Sequence, residues 1–342
     1  MERNSEISTR KKDHININLQ KDVNSSNTTG TEKFRLIHNA LPDLDFQKID
    51  PSVTLFQKKL SFPLQISSMT GGTKNASELN RIFAETAEKH QIALGVGSQR
   101  IGIEDPQKMD TFRVRKYAPT TLLFSNLGAV QLNYGIGVDE CRKAVEEIGA
   151  DALILHLNPL QEVLMENGDT NFSGLIEKIG AVASKLSVPI ILKEVGWGIS
   201  WKVAKELIDA GVSAIDVAGA GGTSWSEVEM HRASDSIRKA VASGFRNWGI
   251  STIDALLEIR NHDQEALVFA SGGLRNGIDI VKCIALGADL CGIARPFLQK
   301  AVESKTALDE FILILKQQVK ITMFAIGAQK IQEIGPENIR SK

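Results

Sequence analysis

From residue 63 onward, short apolar runs alternate with longer segments in which apolar positions recur with the period of a helix. Apolar runs separated by helical segments are typical of parallel strands that are buried on both faces. Eight runs predict strands, at 63–70, 92–99, 120–126, 152–158, 189–196, 214–221, 266–273 and 288–295. Helix candidates between them include "NASELNRIFAETAEKHQ", "VDECRKAVEEIG", "SGLIEKIGAVASKL", "WKVAKELIDAG" and "NGIDIVKCIALG". Eight such units over roughly 240 residues match the size of a (β/α)8 TIM barrel.

Three segments lie outside this repeat. Residues 1–62 form an N-terminal extension, in which "NSSNTTGTE" predicts an exposed and mobile loop. The connection 221–247 is long for a barrel loop, and loops of that length are often lids. The tail from Thr306 is strongly apolar, so we expect closing helices that pack on the barrel or on a neighbouring subunit. We therefore treat 63–342 as the barrel with its C-terminal helices.

Composition and charge narrow the class of protein. A formal net charge of -1 gives no overall field to attract nucleic acid or a membrane surface. The N-terminus has no apolar signal core, and no stretch is long and apolar enough to span a membrane, so a cytoplasmic protein is expected. Cys141, Cys283 and Cys291 form no C-x-x-C pair, and we expect three free, packed thiols.

Polar side chains gather where the predicted strands end, as barrel active sites require. The stretch "HLNPLQE", 156–162, follows the apolar run "DALIL" of the fourth strand and places Gln161 beside Glu162. Other strand ends carry Met69, Thr70, Ser98, Arg100, Asn126 and Lys193. A glutamine is a poor acid and a poor base, so at such a site the proton must come from another group.

Glycine-rich loops after the last three strands predict a phosphate site. "ASGGLRNG" closes the seventh strand and opens a helix, "GAGGTS" follows the sixth, and "GIARP" brings Gly292, Ala294 and Arg295 to the same region. The alternative is that these glycines only make tight turns. The hydrogen-bonding groups on the opposite strand ends suit the polar edge of FMN, with Lys193 near the flavin N1 and O2. Lys193 could instead pair with Glu194.

Eight motifs, in order along essentially the whole chain, resemble those of a known family. They are "RKKDH" (10–14), "MTGG" (69–72), "GVGSQR" (95–100), "SNLGA" (125–129), "HLNPLQE" (156–162), "LKEVGWGIS" (192–200), "DVAGAGGTSW" (216–225) and "SGGLRNG" (271–277). The chain resembles type 2 isopentenyl-diphosphate isomerase, the flavin-dependent form.

That resemblance implies an enzyme of isoprenoid biosynthesis that interconverts isopentenyl and dimethylallyl diphosphate on reduced FMN with Mg²⁺. It also implies NADPH as reductant and a homo-oligomer, tetramer or octamer. Flavin positions fall on Ser68, Met69, Thr70, Ser98, Asn126, Lys193, Thr223, Gly272, Gly273 and Ala294. Substrate positions fall on Arg10, Lys11, His14, Ser98, Arg100, His156, Asn158, Gln161 and Trp225, and the metal position falls on Glu162. Whether Thr223 or Ser224 meets the FMN phosphate stays open.

The resemblance also explains the glutamine. Isomerising an unactivated alkene needs a proton added and another removed, which the N5 of reduced FMN can supply while Gln161 orients the alkene or relays the proton. Glu162 would bind Mg²⁺ bridged to the diphosphate. The cations Arg10 and Lys11 would reach the diphosphate and become ordered when substrate binds or a neighbouring subunit holds them.

Blander interpretations and one rival function remain at this point. Glu162 could be an exposed loop charge, His156 a satisfied strand histidine, and the Arg10–Lys12 run a solvated patch, with Lys12 on the surface in any case. The rival is an FMN-dependent oxidoreductase of the 2-hydroxy-acid oxidase type, which needs a histidine base and an arginine. His231 and Arg232 are its candidates.

Overall fold

Eight parallel strands close into a barrel in the computed structural model, which describes residues 2–342, the side chains of residues 2–8 and 74 excepted. The described strands are β1 Phe34–Leu36, β2 Val53–Leu55, β3 Lys58–Leu60, β4 Leu64–Ile66, β5 Ala93–Gly95, β6 Leu123–Gly128, β7 Ala152–Leu157, β8 Ile190–Glu194, β9 Ala214–Asp216, β10 Leu267–Ser271, β11 Leu290–Ile293 and β12 Ile339–Ser341. Strands β4 to β11 form the barrel, closed where β11 pairs with β4. Each barrel strand overlaps one predicted strand, so the predicted (β/α)8 fold is confirmed.

Helices follow the barrel strands and surround them. They are α1 Glu2–Gln20, α2 Lys74–His90, α3 Arg100–Glu104, α4 Pro106–Met109, α5 Val138–Glu146, α6 Pro159–Leu164, α7 Leu175–Lys185, α8 Trp201–Asp209, α9 Trp225–Arg232, α10 Ser236–Ser243, α11 Thr252–Arg260, α12 Gly277–Ala285, α13 Arg295–Glu303 and α14 Lys305–Ile326. Side-chain caps explain several starts. Thr73 accepts from the Ala76 N–H before α2, and Ser304 accepts from the Ala307 N–H before α14.

The barrel interior is apolar at one end and polar at the other. Buried side chains such as Phe124, Ile154 and Phe269 fill the lower layers, and the β2–β3 hairpin covers them with Leu55 and Leu60. Burial of this layer leaves the carboxyl ends of the strands as the place for chemistry.

The N-terminal extension packs on that polar end, which corrects part of the prediction for "NSSNTTGTE". Its second half is not exposed, because Thr29 and Thr31 are buried. The Thr29 carbonyl accepts from the Ile253 N–H, and the Ser25 N–H donates to the Gly222 carbonyl. Backbone bonds to barrel loops therefore replace the solvent contacts that a polar composition suggested.

The connection 221–247 is mostly helical, since it contains α9 and α10. Helix α9 packs against α1 and α6, so it forms a wall of the polar end. The C-terminal helix α14 packs against α2, α12 and α13. This confirms the prediction of closing helices that pack on the barrel.

Two further sequence expectations concern thiols and membranes. The three cysteines are free and buried, as predicted. Among residues 2–342, the structure contains no helix with the length and apolar character needed to cross a bilayer.

Candidate active site

One cavity of about 630 Å³ opens at the carboxyl ends of the barrel strands. The residues that line it include every site residue predicted from the sequence: Arg10, Lys11, His14, Ser68, Met69, Thr70, Ser98, Arg100, Asn126, His156, Asn158, Gln161, Glu162, Lys193, Thr223, Trp225, Gly272, Gly273 and Ala294. The structure therefore brings together residues that lie up to 284 positions apart, from 10 to 294.

Helix α6 presents Gln161 and Glu162 to the cavity. It begins directly after β7 with Pro159 at its first position, where the missing N–H costs nothing. The Asn158 side chain, at the cap position, donates to Gln161 Oε1 (3.2 Å) and to Glu162 Oε1 (2.9 Å). Both acceptors are buried, so Glu162 is not an exposed loop charge.

Glu229 is a functional candidate that the sequence analysis missed. This buried carboxylate on α9 accepts from Gln161 Nε2 (3.1 Å), bonds His14 Nε2 (2.9 Å) and pairs with Arg232 (2.6 Å). Burial alone would raise the pKa of Glu229, but the His14 hydrogen bond and the Arg232 charge outweigh it and lower the pKa to about 2. The sequence did contain one signal for Glu229. It lies four positions after the predicted site residue Trp225, and residues spaced by four share one face of a helix; the Trp225 ring contacts the His14 ring edge-on at 5.0 Å.

Three cations, Arg10, Lys11 and Arg100, line the cavity from α1 and α3. The Lys11 ammonium donates to the Ser98 carbonyl (2.9 Å), and burial, with the charges of Arg10 and Arg100, lowers the pKa of Lys11 to about 7. Burial raises the pKa of Glu162, although the Asp169 N–H, Asn158 and the Arg10 charge oppose that rise. Contacts within this one chain already place Arg10 and Lys11 at the cavity, while Lys12 is exposed as expected.

Lys193 does not pair with the carboxylate of Glu194. Its ammonium donates to the Glu194 backbone carbonyl (2.7 Å) and lies 4.0 Å from the buried Asp216 carboxylate. The Glu194 carboxylate instead accepts three backbone N–H groups, of residues 195, 196 and 197. Burial nevertheless raises the pKa of Glu194 to about 7. Lys193 thus lines the cavity without an ion pair to Glu194.

His156 is a neutral histidine. Its Nδ1 lies 2.9 Å from Asn126 Oδ1, and burial together with the Lys193 charge lowers the pKa of His156 to about 4. An Nδ1–H that donates to the amide leaves Nε2 as an acceptor.

Unpaired hydroxyls in the segment that follows β4 fit a polar ring system. Among the residues that the structure describes, the buried Ser67 Oγ, Ser68 Oγ and Thr70 Oγ1 have no hydrogen-bond partner, and all three residues line the cavity. Gly292 keeps the floor open, since a Cβ there would lie 2.5 Å from Ser67 Oγ. Buried polar atoms without partners are rare in proteins and indicate a polar ligand. These residues therefore fit the edge of a flavin.

The phosphate site differs in one respect from the prediction. Helix α12 already uses its first N–H groups, since Gly277 donates to Gln318 and Asp279 donates to Asn276. Helix α13 instead begins at the cavity with Ala294 as an N-cap that makes no side-chain bond. Gly272 and Gly273 line the same cavity, and their positive φ of 106° and 84° favours glycine.

Two side chains near this phosphate site have other partners. The Ser224 hydroxyl bonds Ser226 (2.8 Å), so Thr223 is the hydroxyl that lines the cavity. Arg295 lines the cavity with Gly292 and Ala294, as expected, and its guanidinium donates to Asn18 O (2.9 Å) and Lys21 O (3.2 Å) at the end of α1. It therefore caps α1.

The geometry does not favour the residues of the rival oxidoreductase. His231 is absent from the cavity lining, and Arg232 is taken up by Glu229. Neither His231 nor Arg232 is therefore available to bind the carboxylate of a 2-hydroxy-acid substrate.

A divalent metal would need ligands from outside the protein. Glu162 is a carboxylate at the cavity wall, and Asn158 Oδ1 beside it is buried and unpaired in the described part of the chain. Among the side chains that the structure describes, no group of three or more His, Cys, Asp or Glu residues is arranged to hold a metal ion. One carboxylate completed by phosphate and water oxygens is a donor set that suits Mg²⁺.

Comparisons with known proteins first define the class. A family model described as FMN-dependent dehydrogenase matches residues 150–341, more than half of the chain. Solved structures of the same fold include flavocytochrome b2 with benzoylformate (TM-score 0.71, 18% identity, 96% of this chain and 82% of that one) and a mandelate oxidase variant (TM-score 0.64, 18% identity, 92% and 90%). The fold is thus that of an FMN-dependent dehydrogenase-type barrel.

The sequence comparisons then narrow the class to one family. An isopentenyl-diphosphate delta-isomerase of a Nostoc species is 49% identical over 331 residues, covering 96% of this chain and 95% of that protein. One from Rickettsia bellii is 47% identical, covering 97% of each. The chain belongs to the isopentenyl-diphosphate delta-isomerase family.

Proposed function

We propose that this protein interconverts isopentenyl and dimethylallyl diphosphate on reduced FMN with Mg²⁺. The observation that carries the proposal is the arrangement of one cavity. The same cavity is lined by Gln161 and Glu162, by the three cations Arg10, Lys11 and Arg100, and by three residues with unpaired buried hydroxyls. Cations and a metal ligand suit a diphosphate, and the hydroxyls suit a flavin edge.

The proposed roles combine the family resemblance with the cavity lining. Ser68, Met69, Thr70, Asn126 and Lys193 surround the flavin ring, with Ser98 shared between flavin and substrate, while Thr223, Gly272, Gly273 and Ala294 hold its phosphate at the start of α13. Reduced FMN, when bound, supplies the proton donor and acceptor at N5. Arg10, Lys11 and Arg100 bind the diphosphate, and Glu162 holds Mg²⁺ against it.

Gln161 orients the hydrocarbon. Its amide is held in one orientation because Asn158 donates to Oε1 and Nε2 donates to Glu229. His14, Asn158, His156 and Trp225 complete the pocket and exclude water from the alkene. NADPH as reductant, a tetramer or octamer and a cytoplasmic location stay predictions from the sequence.

The test is an anaerobic assay of purified protein with isopentenyl diphosphate. We expect a flavin absorption spectrum that bleaches with dithionite, and dimethylallyl diphosphate only after reduction and with Mg²⁺. The same protein is offered mandelate or lactate with an artificial electron acceptor. Oxidation of the hydroxy acid without isomerisation would favour the rival function.

A further inference from the structure

The turn after α6 brings an unassigned carboxylate, Asp169, against two residues that line the cavity, Arg100 and Glu162. Asn167 has a φ of +58°, and a Cβ on Gly168 would lie 1.9 Å from the Glu162 carbonyl oxygen. Only glycine at 168 lets the chain fold back so closely on the helix that carries Glu162. The result is that Asp169, 7% exposed, lies beside Glu162 rather than in solvent.

Asp169 connects two residues with different proposed roles. Its backbone N–H donates to Glu162 Oε2 (2.7 Å). Its carboxylate Oδ2 accepts from Arg100 Nη1 (2.5 Å) and from Gln131 Nε2 (3.1 Å). The metal-position carboxylate and a substrate-position cation are thus held by one residue.

Arg100 is fixed from two sides by these contacts. Glu104 accepts from its Nε (2.8 Å), and Asp169 accepts from Nη1, so two points of a planar fork are set. Glu104 is 31% exposed in its side chain, whereas Asp169 is 9% exposed. Because screening by water weakens the outer pair, the buried Asp169 contact does more to define where the guanidinium points.

An arginine without this partner would have a competing anion in the same cavity. Glu162 is buried, faces the same cavity and accepts hydrogen bonds at both oxygens. If Arg100 formed an ion pair with Glu162, Arg100 could no longer bind the diphosphate and Glu162 could no longer bind the metal.

We propose that Asp169 is a positioning residue that holds Arg100 toward the substrate diphosphate and away from Glu162. This rests on the proposed function, in which Arg100 contacts the diphosphate. Asp169 itself touches neither the substrate nor the reacting atoms; it acts through Arg100.

A double-mutant cycle tests the proposal by calorimetric binding of inorganic diphosphate, with Mg²⁺, to oxidised FMN-loaded protein. We expect Asp169→Asn and Arg100→Gln each to weaken binding by about tenfold or more, since each removes a charge-assisted contact. Asp169→Asn should then have no further effect in the Arg100→Gln background. Glu104→Gln, the matched control on the exposed side of Arg100, should change binding by less than about threefold.

The outcomes distinguish the proposed diphosphate site at Arg100 from the proposed positioning role of Asp169. If Arg100→Gln binds diphosphate normally, the proposed diphosphate site is wrong. If Arg100→Gln is weak but Asp169→Asn is normal, or if Asp169→Asn acts equally in both backgrounds, the positioning role is overturned. Should Asp169→Asn fail to retain FMN, Gln131→Leu removes the second donor to Asp169. It should weaken binding about threefold in wild type and not in the Arg100→Gln background, and an equal effect in both overturns the proposal.

Discussion

Glu162 differs from most buried carboxylates in having no cation within hydrogen-bond distance among the described side chains. Its two oxygens accept from Asn158 and from the Asp169 N–H, which are neutral donors. Burial raises its pKa, so a divalent cation would relieve an unfavourable environment rather than compete with an existing ion pair. This is the residue-scale reason to assign the metal to Glu162.

Glu162→Gln should keep FMN bound and lower the Mg²⁺-dependent rate by tenfold or more, because one carboxylate ligand becomes a neutral amide. Glu166→Gln, an exposed acid four positions along, is the matched control. The measurement is the rate against Mg²⁺ concentration. If Glu162→Gln reached half of its maximal rate at the same Mg²⁺ concentration as the wild type, Glu162 would not be the metal ligand.

Lys11 should take up a proton when diphosphate binds. Its pKa of about 7 in the free site means that it is mostly neutral at pH 8, and a bound anion raises that pKa again. Affinity should therefore fall as pH rises above about 7. Calorimetry at pH 8 in buffers of different ionisation enthalpy measures the uptake.

The comparison for this proton uptake is between two adjacent lysines. Lys11→Gln should lose the uptake, whereas Lys12→Gln, exposed on the same helix, should keep it. Equal uptake in both variants would show that the proton goes elsewhere, for example to the phosphate itself.

Sequence motifs located the residues of the cavity but not their partners. Gln161 and Glu162 were found because they follow a predictable strand. Glu229 holds Gln161 from 68 positions away, and Arg100 meets Asp169 across 69. No local pattern encodes such contacts, since they depend on how α9 and the turn after α6 pack on the barrel mouth.

At the scale of elements, helix α1 is held at its C-terminal end by a residue from the start of a distant helix, α13. Arg295, the first residue of α13, donates to Asn18 O, Lys21 O and Asn24 Oδ1. Sequence reasoning missed α1 because the helix is mostly polar and, among its described side chains, only Ile15 and Leu19 pack against the core, and helices of that kind depend on tertiary contacts.

Arg295→Met should loosen α1, because the orphan carbonyls at its end lose their donor. We expect amide hydrogen exchange in residues 10–20 to be about tenfold faster, together with a higher KM for the diphosphate substrate. Lys300→Met, which removes an exposed charge from the same helix α13, is the control. Unchanged exchange in Arg295→Met would mean that other contacts hold α1.

At the scale of the molecule, the period of the apolar runs predicted the barrel and its strand ends. The eight strands were predictable because each is a short apolar run buried on both faces. Two polar segments were not predictable: the helical connection 221–247 and the buried half of the N-terminal extension. Polar segments of this kind take their structure from the surface that they cover. FMN-type relatives share the barrel at 17–18% identity, so the barrel alone does not decide between oxidation and isomerisation.

The central claim is that Gln161 aligns the alkene while the proton chemistry belongs to the reduced cofactor. The direct measurement is single-turnover isomerisation of isopentenyl diphosphate in D₂O on photoreduced protein, with deuterium in the product methyl group counted by mass spectrometry. Gln161→Asn withdraws the amide by about one C–C bond, so it should bind FMN normally and react at least about tenfold more slowly. A wild-type rate with normal deuterium uptake in Gln161→Asn would contradict the account.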